Sequence, residues 1–504
     1  MRITNNMMIN NTSSNINGNK INVNALNLQM SSQKKIQRPS ENPIVAIRAL
    51  RLRSTLSQIQ QYNEKNIPDA EAWMRATETA LYNMNGILTD VKSECVTGTN
   101  SYLTAQDRDT ILKNLTALKS QLYSEGNADN AGRTVFTGWR TGSQLTFMED
   151  EADTTYRLYQ TFSYEDMEEY SYFGNRLEVP TTVAEVQDTD KIKDDYDFVQ
   201  HDYERIRLPY DNITDIESLT LYRDDGSTIR NRTIEYFDTE ADWENKYNGK
   251  SMGAGHVFVI RDTGEIILGP TIGELVKSSH GTIEIQYTKT GFAEGELRPE
   301  YYYDCTDITD PNRQIEYKKY DENGNKIYED INYTVALNQT LTVNLQADEV
   351  FDMNIYQDVV DMLNAVQNAI DAHDKVTRLE AMKNEAKYAD CQADVQKWID
   401  AAQKEADYAD TYLTKLFTRE NAKFDQYIEK LNIAYTEIGS RGDQLEMTQA
   451  RIDNLQLTQE ELMSSNEDKE LSDVIIEYTA AFNAYQASLM AAAKIEKQTL
   501  LDYI

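Results

Sequence analysis

The spacing of apolar residues changes twice along the chain. Residues 1–35 are rich in Asn, yet Ile9, Ile16, Val23 and Met30 fall seven apart. The positions three residues beyond the first three are Thr12, Asn19 and Leu26, so only Leu26 completes an apolar pair. That is half of a heptad seam. Asn and Gly18 disfavour an isolated helix, so this arm is expected to stay disordered in the monomer until a partner covers its stripe. At the other end, Leu471, Ile475, Tyr478, Phe482, Tyr485, Leu489 and Ala492 alternate spacings of four and three in a run free of Gly and Pro. This spacing predicts a full coiled-coil seam, and the closing "LLDYI" adds apolar surface that one short helix cannot bury alone. Both stripes are expected to be assembly surfaces.

Inside the arms the period stays helical. In "RPSENPIVAIRALRLRS" Arg38 and Pro39 open a turn, Asn42 is placed to cap a helix, and Pro43 suits its first position. Ile44, Ile47 and Leu50 then recur at helical spacing, beside Val45, Leu52, Leu56 and Ile59. Ala70, Trp73, Thr77, Ala80, Met84, Ile87 and Val91 share one face of a further helix. Ile111, Leu115, Leu118 and Leu122 mark another that closes at Gly126. Residues 353–438 predict several helices, and a long one follows from 443 after a break at Gly439, Ser440 and Gly442.

From about 150 to 348 alternation and turn dipeptides replace the helical period. "SLTLYRDDGSTIRNRTIEYF", "HVFVIRDTGEIILG" and "IEYKKYDENGNKIYED" each set an Asp/Asn–Gly-type turn between β-rich runs. "GTIEIQYTK" and "YTVALNQTLTVNL" supply more strands. The expected fold is α+β: helical arms from both termini around a β-rich insertion. Its expected boundaries are 1–42 for the N-terminal arm, 43–149 and 349–459 for the two parts of a helical domain, 150–348 for the insertion, and 460–504 for the C-terminal arm.

Charge refines this plan. The chain carries 84 acidic and 50 basic side chains, a net −34, and so strong an acidic field repels phosphate and argues against nucleic acid as a partner. The first 60 residues oppose the trend, with eight Lys or Arg and a single acid, Glu41. Residues 441–504 hold five basic and twelve acidic residues. Ends of opposite charge suggest ends that meet. No apolar run approaches the roughly 18 residues of a membrane span, and the N-terminus lacks the apolar core of a secretory signal.

Candidate chemistry is sparse. Cys95, Cys305 and Cys391 lie far apart and form neither a zinc pattern nor a disulfide framework. His201, His256, His280 and His373 begin no H-E-x-x-H helix and sit near no Cys at ligand spacing. "GKSMGAGHVFV" precedes a strand, so it is expected to be a turn and not a phosphate loop. "EDMEEY" (165–170) is expected to be a solvated acidic face, and "RGD" at Arg441 an accident at a helix entrance. No catalytic residue, metal ligand or cofactor site is nominated, and the chain is not expected to be an enzyme.

The terminal segments do carry a recognisable pattern. "MRITNNMM", "MSSQKKIQRPSENPIVAIRALRLRS", "AYTEIGSRGDQLEMTQARIDNLQLTQEEL" and "LLDYI" resemble the bacterial flagellin superfamily. "LTAQDRDTILKNLTALKSQLYSEGN" and "AGRTVFTGWRT" are similar to the segments that follow in that family. The resemblance covers about 1–145 and 425–504. "RPSENP" and "LLDYI" look like the branch found at the hook–filament junction. What the resemblance implies is a structural adaptor, extracellular, exported unfolded without a cleaved signal. It implies hook-associated protein 1, flagellin, further copies of the chain and an export chaperone as partners, and no membrane. A filament-forming flagellin is the alternative, and a flagellin-like protein with an enzymatic insertion the third. Three features depart from the pattern: Gln33 stands where many members have Gly, Pro68 interrupts a usually continuous helix, and an extra helical segment lies near 375–425.

Overall fold

The computed structural model describes residues 5–100, 103–173, 176–188, 200–230, 232–247, 252–322 and 324–497. The "MRIT" and "LLDYI" ends of the sequence pattern lie outside them. The principal helices are α1 (Asn5–Ser32), α2 (Pro43–Gln61), α3 (Ile67–Gly98), α4 (Ala105–Gly126), α5 (Glu240–Tyr247), α6 (Pro270–Ser278), α7 (Asn354–Lys383), α8 (Gln392–Glu467) and α9 (Leu471–Lys497). Long helices at both ends flank a β-rich middle, the α+β class expected.

Two helix breaks expected from Pro and Gly are absent. Pro68 is the second residue of α3 and has no N–H to donate. The turn ahead of it, Tyr62–Asn66, is widened to a π turn, closed by the Ile67 amide on the Tyr62 carbonyl, and the chain passes the proline without a break. Gly439, Ser440 and Gly442 lie within α8, which runs uninterrupted, so "RGD" sits mid-helix and not at an entrance. Each glycine costs a helix about 1 kcal/mol. Opposing this, the Arg441 guanidinium reaches the Thr342 and Asn344 carbonyls at 3.3 and 2.8 Å, and Ile438 is buried one turn earlier. The segment near 375–425 is the tip of a helical hairpin: the end of α7, a 3-10 connection at Ala386–Cys391, and the start of α8. Leu379, Tyr388, Trp398 and Ala402 form its core.

The chain divides into two compact units. One comprises Met1–Glu71, Tyr333–Leu341 and Asp443–Ile504. There α2 lies antiparallel to the end of α8, with Gln459 donating to the Leu52 carbonyl at 3.0 Å and Asn466 to that of Val45 at 3.1 Å. The other comprises Ala72–Asn332 and Thr342–Gly442.

In the second unit the strands form two five-stranded sheets. They are β1 (Glu151–Ser163), β2 (Glu168–Phe173), β3 (Gln200–Arg207), β4 (Ile213–Tyr222), β5 (Thr233–Phe237), β6 (His256–Ile260), β7 (Glu265–Leu268), β8 (Thr282–Phe292), β9 (Asp304–Asp307) and β10 (Ile315–Tyr317). One sheet has the order β10-β9-β1-β8-β4 and is antiparallel throughout; the other has the order β2-β3-β7-β6-β5. The hairpin read from "HVFVIRDTGEIILG" forms as β6 and β7, with Gly264 at φ 68 in its turn. The one read from "SLTLYRDDGSTIRNRTIEYF" closes at its turn, where Tyr222 bridges Thr228 and the Ile229 amide donates to the Leu221 carbonyl at 2.8 Å, but does not continue: β5 leaves β4, joins the other sheet and pairs parallel to β6. The reason is burial. Val257, Phe258, Val259 and Ile260 are all buried, a continuous apolar run that needs cover on both faces, which an α5 crossover provides and a hairpin cannot.

A buried charge network joins these strands to the helices of the same unit. Arg205 of β3 pairs with Glu265 of β7, Glu168 of β2 and Asp361 of α7, and its guanidinium lies 3.7 Å from the Tyr170 ring centre. Lys423 of α8 takes Glu168, Asp358 at 2.8 Å and Glu420 at 3.5 Å. Glu168, read as part of a solvated face, is therefore half-buried between cations, because β2 lies against α8. Burial first, and then the Asp358 charge, push the Glu420 carboxyl up to about 8. A carboxyl whose folded pKa is raised stabilises the fold fully below its unfolded value and loses that contribution as pH rises toward the folded one. Thermal unfolding should therefore show a fall in midpoint between pH about 4.5 and 8 that is shallower in Glu420→Gln; equal slopes in calorimetry would contradict the assignment.

Candidate assembly surface on the terminal helices

The surface belongs to the first unit and begins at a tight junction. Gln33 ends α1 in the left-handed region at φ 54, where a side chain costs about 1–2 kcal/mol and Gly almost nothing. The Gln33 amide donates to the Gln29 carbonyl at 2.8 Å. The Lys469 amide donates to Gln33 at 3.0 Å and the Lys35 amide to Glu467 at 2.7 Å, a two-bond antiparallel bridge. Side chains reinforce it. Glu467, 5% exposed, receives both arms of the Arg53 guanidinium, and Lys34 lies 3.6 Å from it while pairing with Asp468. The Lys34 hydrogen bond holds the Asp468 carboxyl below the usual range. Basic and acidic ends of the chain meet here.

The turn that follows contains the nominated Arg38, Pro39, Asn42 and Pro43. The Glu41 amide donates to the Arg38 carbonyl at 3.0 Å with Pro39 between them. Asn42, at φ −149, accepts from the Ile44 and Val45 amides at 3.2 and 3.3 Å, and Pro43 fills the first helical position of α2.

From the bridge, α1 and α9 run side by side and antiparallel. On α1 the side chains withdrawn from solvent are Thr12, Ile16, Asn19, Val23, Leu26, Gln29 and Met30, which include the nominated series except Ile9, at 41% exposed. On α9 they are Val474, Tyr478, Ala481, Tyr485, Ser488 and Ala492. Of the nominated seam the structure thus turns Tyr478, Tyr485 and Ala492 inward. It leaves Leu471, Ile475, Phe482 and Leu489 at 45, 47, 38 and 42% exposed. Small Ala481 and Ser488 at the line of contact let the two helices approach, and the bulky residues one position on are displaced to its flank. Val474, Ala481 and Ser488 were not nominated, although they too recur every seven residues. A further stripe, Ile21 and Leu28, is exposed on α1 outside the contact with α9.

Little else offers chemistry. All three cysteines are buried free thiols, and burial pushes that of Cys95 up to about 12. His256 sits on Glu235 at 3.2 Å and His373 on Asp410 at 2.9 Å. Among the described residues no three ligating side chains group as a metal would need, and no helix is long and apolar enough to cross a membrane.

Residues 3–141 match the family described as the bacterial flagellin N-terminal helical region. Flagellar hook-associated protein 3 of Salmonella typhimurium is 28% identical over 142 residues, 28% of this chain and 44% of that protein. Its Escherichia coli K12 namesake is 28% identical over 114 residues, 22% of this chain and 36% of that protein. The chain therefore spans less than half the length of the curated relatives it matches. Among solved structures, FlgL of Xanthomonas campestris superposes with a TM-score of 0.31 at 11% identity, over 82% of this chain and 99% of that one. The matched region ends before β1, so the two five-stranded sheets and the α7–α8 hairpin lie beyond it.

The junction can be probed by amide hydrogen exchange. Glu467→Ala leaves Arg53 and Lys34 without their shared partner and should speed exchange at the Lys35 and Lys469 amides by about tenfold or more. Gln33→Gly should slow it, since about 1–2 kcal/mol of left-handed strain is removed. Unchanged rates in both would mean that neither the ion pairs nor the backbone strain sets the stability of the bridge.

Proposed function

We propose that this chain is a structural subunit of the bacterial flagellum that joins the hook to the filament. The observation that carries the reading is the uncovered stripe of Ile475, Phe482 and Leu489, an apolar surface that α1 leaves open to solvent. A second chain is its natural cover, so that order and burial come together on assembly. The hook-associated protein 3 relatives of the N-terminal region support a junction role over a filament role. In this reading the axial neighbours are hook-associated protein 1, flagellin and further copies of the chain. An export chaperone keeps the stripes from premature contact, and secretion proceeds without a cleaved signal.

Loss of the protein should leave hooks in place while filaments are missing or shed into the medium. Complementation with Phe482→Asp should fail in the same way, because an unpaired charge in a surface that becomes buried costs several kcal/mol. The variant's second unit should still unfold with its normal transition, which separates loss of assembly from loss of fold. Filaments attached at normal strength by the variant would sink the proposal. Long filaments built by the wild-type chain alone would instead indicate a filament flagellin.

A further inference from the structure

The second unit contains a partly open cavity of about 190 Å³ where β2 and β3 face α7 and α8. Its apolar walls are tyrosines: the Tyr170 ring lies 5.7 Å from Tyr203 and 5.5 Å from Tyr412, and Tyr408 adds a fourth. Its polar walls are charged and evenly balanced. Arg176, Lys375 and Lys415 supply cations; Glu240, Asp371 and Glu405 supply carboxyls. Most are held in place by partners. Lys375 meets Glu405 at 2.7 Å, Glu405 also accepts the Leu177 amide at 2.9 Å, Arg176 lies 3.4 Å from Glu244, and Gln367 fixes Asp371 at 2.8 Å. Lys415 has no ion pair among the described residues. Burial, with Glu265 and Glu244 nearby, pushes the Glu240 carboxyl up to about 7, so near neutrality it can donate as well as accept.

This lining discriminates among ligand classes. Three carboxyls oppose a phosphate or other compact anion. Six ionisable groups oppose a purely apolar ligand, which would strip their hydration without replacing it. A neutral ligand carrying several hydroxyls satisfies both signs, since each hydroxyl can donate to a carboxylate and accept from an ammonium or guanidinium. A ligand whose C–H faces are also flat enough to lie on tyrosine rings uses the rest of the wall. We propose that the cavity is a binding site for a neutral saccharide, admitting one sugar ring between the tyrosines of β2 and β3 and those of α8. The site does not depend on the assembly role proposed above.

Saturation-transfer NMR on the full chain, with glucose, galactose and N-acetylglucosamine as probes, tests it. At least one neutral sugar should receive transfer, with a dissociation constant of about 1 mM, the range of weak specific sites. Ala409→Trp, which fills the cavity from α8, should abolish the signal, and Lys415→Met should weaken binding about tenfold. Ala409→Trp should keep the wild-type unfolding transition in calorimetry, which separates a filled cavity from a folding defect. Three results would overturn the site: no transfer to any of the sugars, transfer that persists in Ala409→Trp, or displacement of sugar by inorganic phosphate more readily than by a second neutral sugar.

Discussion

A helix can turn only one side toward a single neighbour, and the terminal helices of this chain carry more apolar surface than one side can hold. α1 spends the Val474–Ala481–Ser488 line of α9 and leaves the adjacent Ile475–Phe482–Leu489 line in water. Apolar side chains of that size contribute on the order of 1.5–3 kcal/mol each when fully buried. Three of them, seven residues apart, therefore hold a sizeable gain that the isolated chain cannot realise. α1 repeats the situation with Ile21 and Leu28. Two unlike stripes on one helix pair favour contacts between different faces of successive copies, the kind that closes into rings or runs on as helices.

Charge does a different task. The clamp around Glu467 brings the basic start and the acidic end of the chain to one point, and it fixes where α1 ends and α9 begins. Arg53 is largely solvent-exposed, so its pairing is screened by salt and positions the chain more than it stabilises it. In the second unit the balance is reversed. Arg205 and Lys423 are shielded from water, and their carboxylates come from strands and helices alike. Removing residues 150–348 would take Arg205 and Arg207 away and leave the buried Asp361 without its cations. The strands are thus tied to the helices by desolvated charge, which is costly to break by removing one partner.

Much of this was legible in the sequence, and what was not has identifiable causes. The face of Ala70, Trp73, Thr77, Ala80, Met84, Ile87 and Val91 is buried throughout, because a period sustained over six turns leaves one solution for the packing. The start of α2 was equally plain, since Asn42 and Pro43 act through local hydrogen bonding and local sterics. Half of the α9 contact line, Tyr478, Tyr485 and Ala492, is legible in the period; the other half lies one residue before Ile475, Phe482 and Leu489, because periodicity ranks positions by hydrophobicity while close approach favours the smaller Ala481 and Ser488. The turn after β4 is legible, but the departure of β5 to the other sheet is not, because the demand for a two-sided cover over Val257–Ile260 is non-local. The network at Arg205 was missed altogether: its members lie up to 255 residues apart in sequence, as Lys423 and Glu168 do, and share no spacing.

The central claim is that the Ile475–Phe482–Leu489 stripe is covered by another chain in the assembled flagellum. Maleimide labelling of a Phe482→Cys variant tests it most directly, because the native cysteines are buried and Phe482 is accessible in the isolated chain. The account predicts fast labelling of the purified protein and strong protection in intact flagella, lost again on depolymerisation. Equal labelling before and after assembly would contradict it.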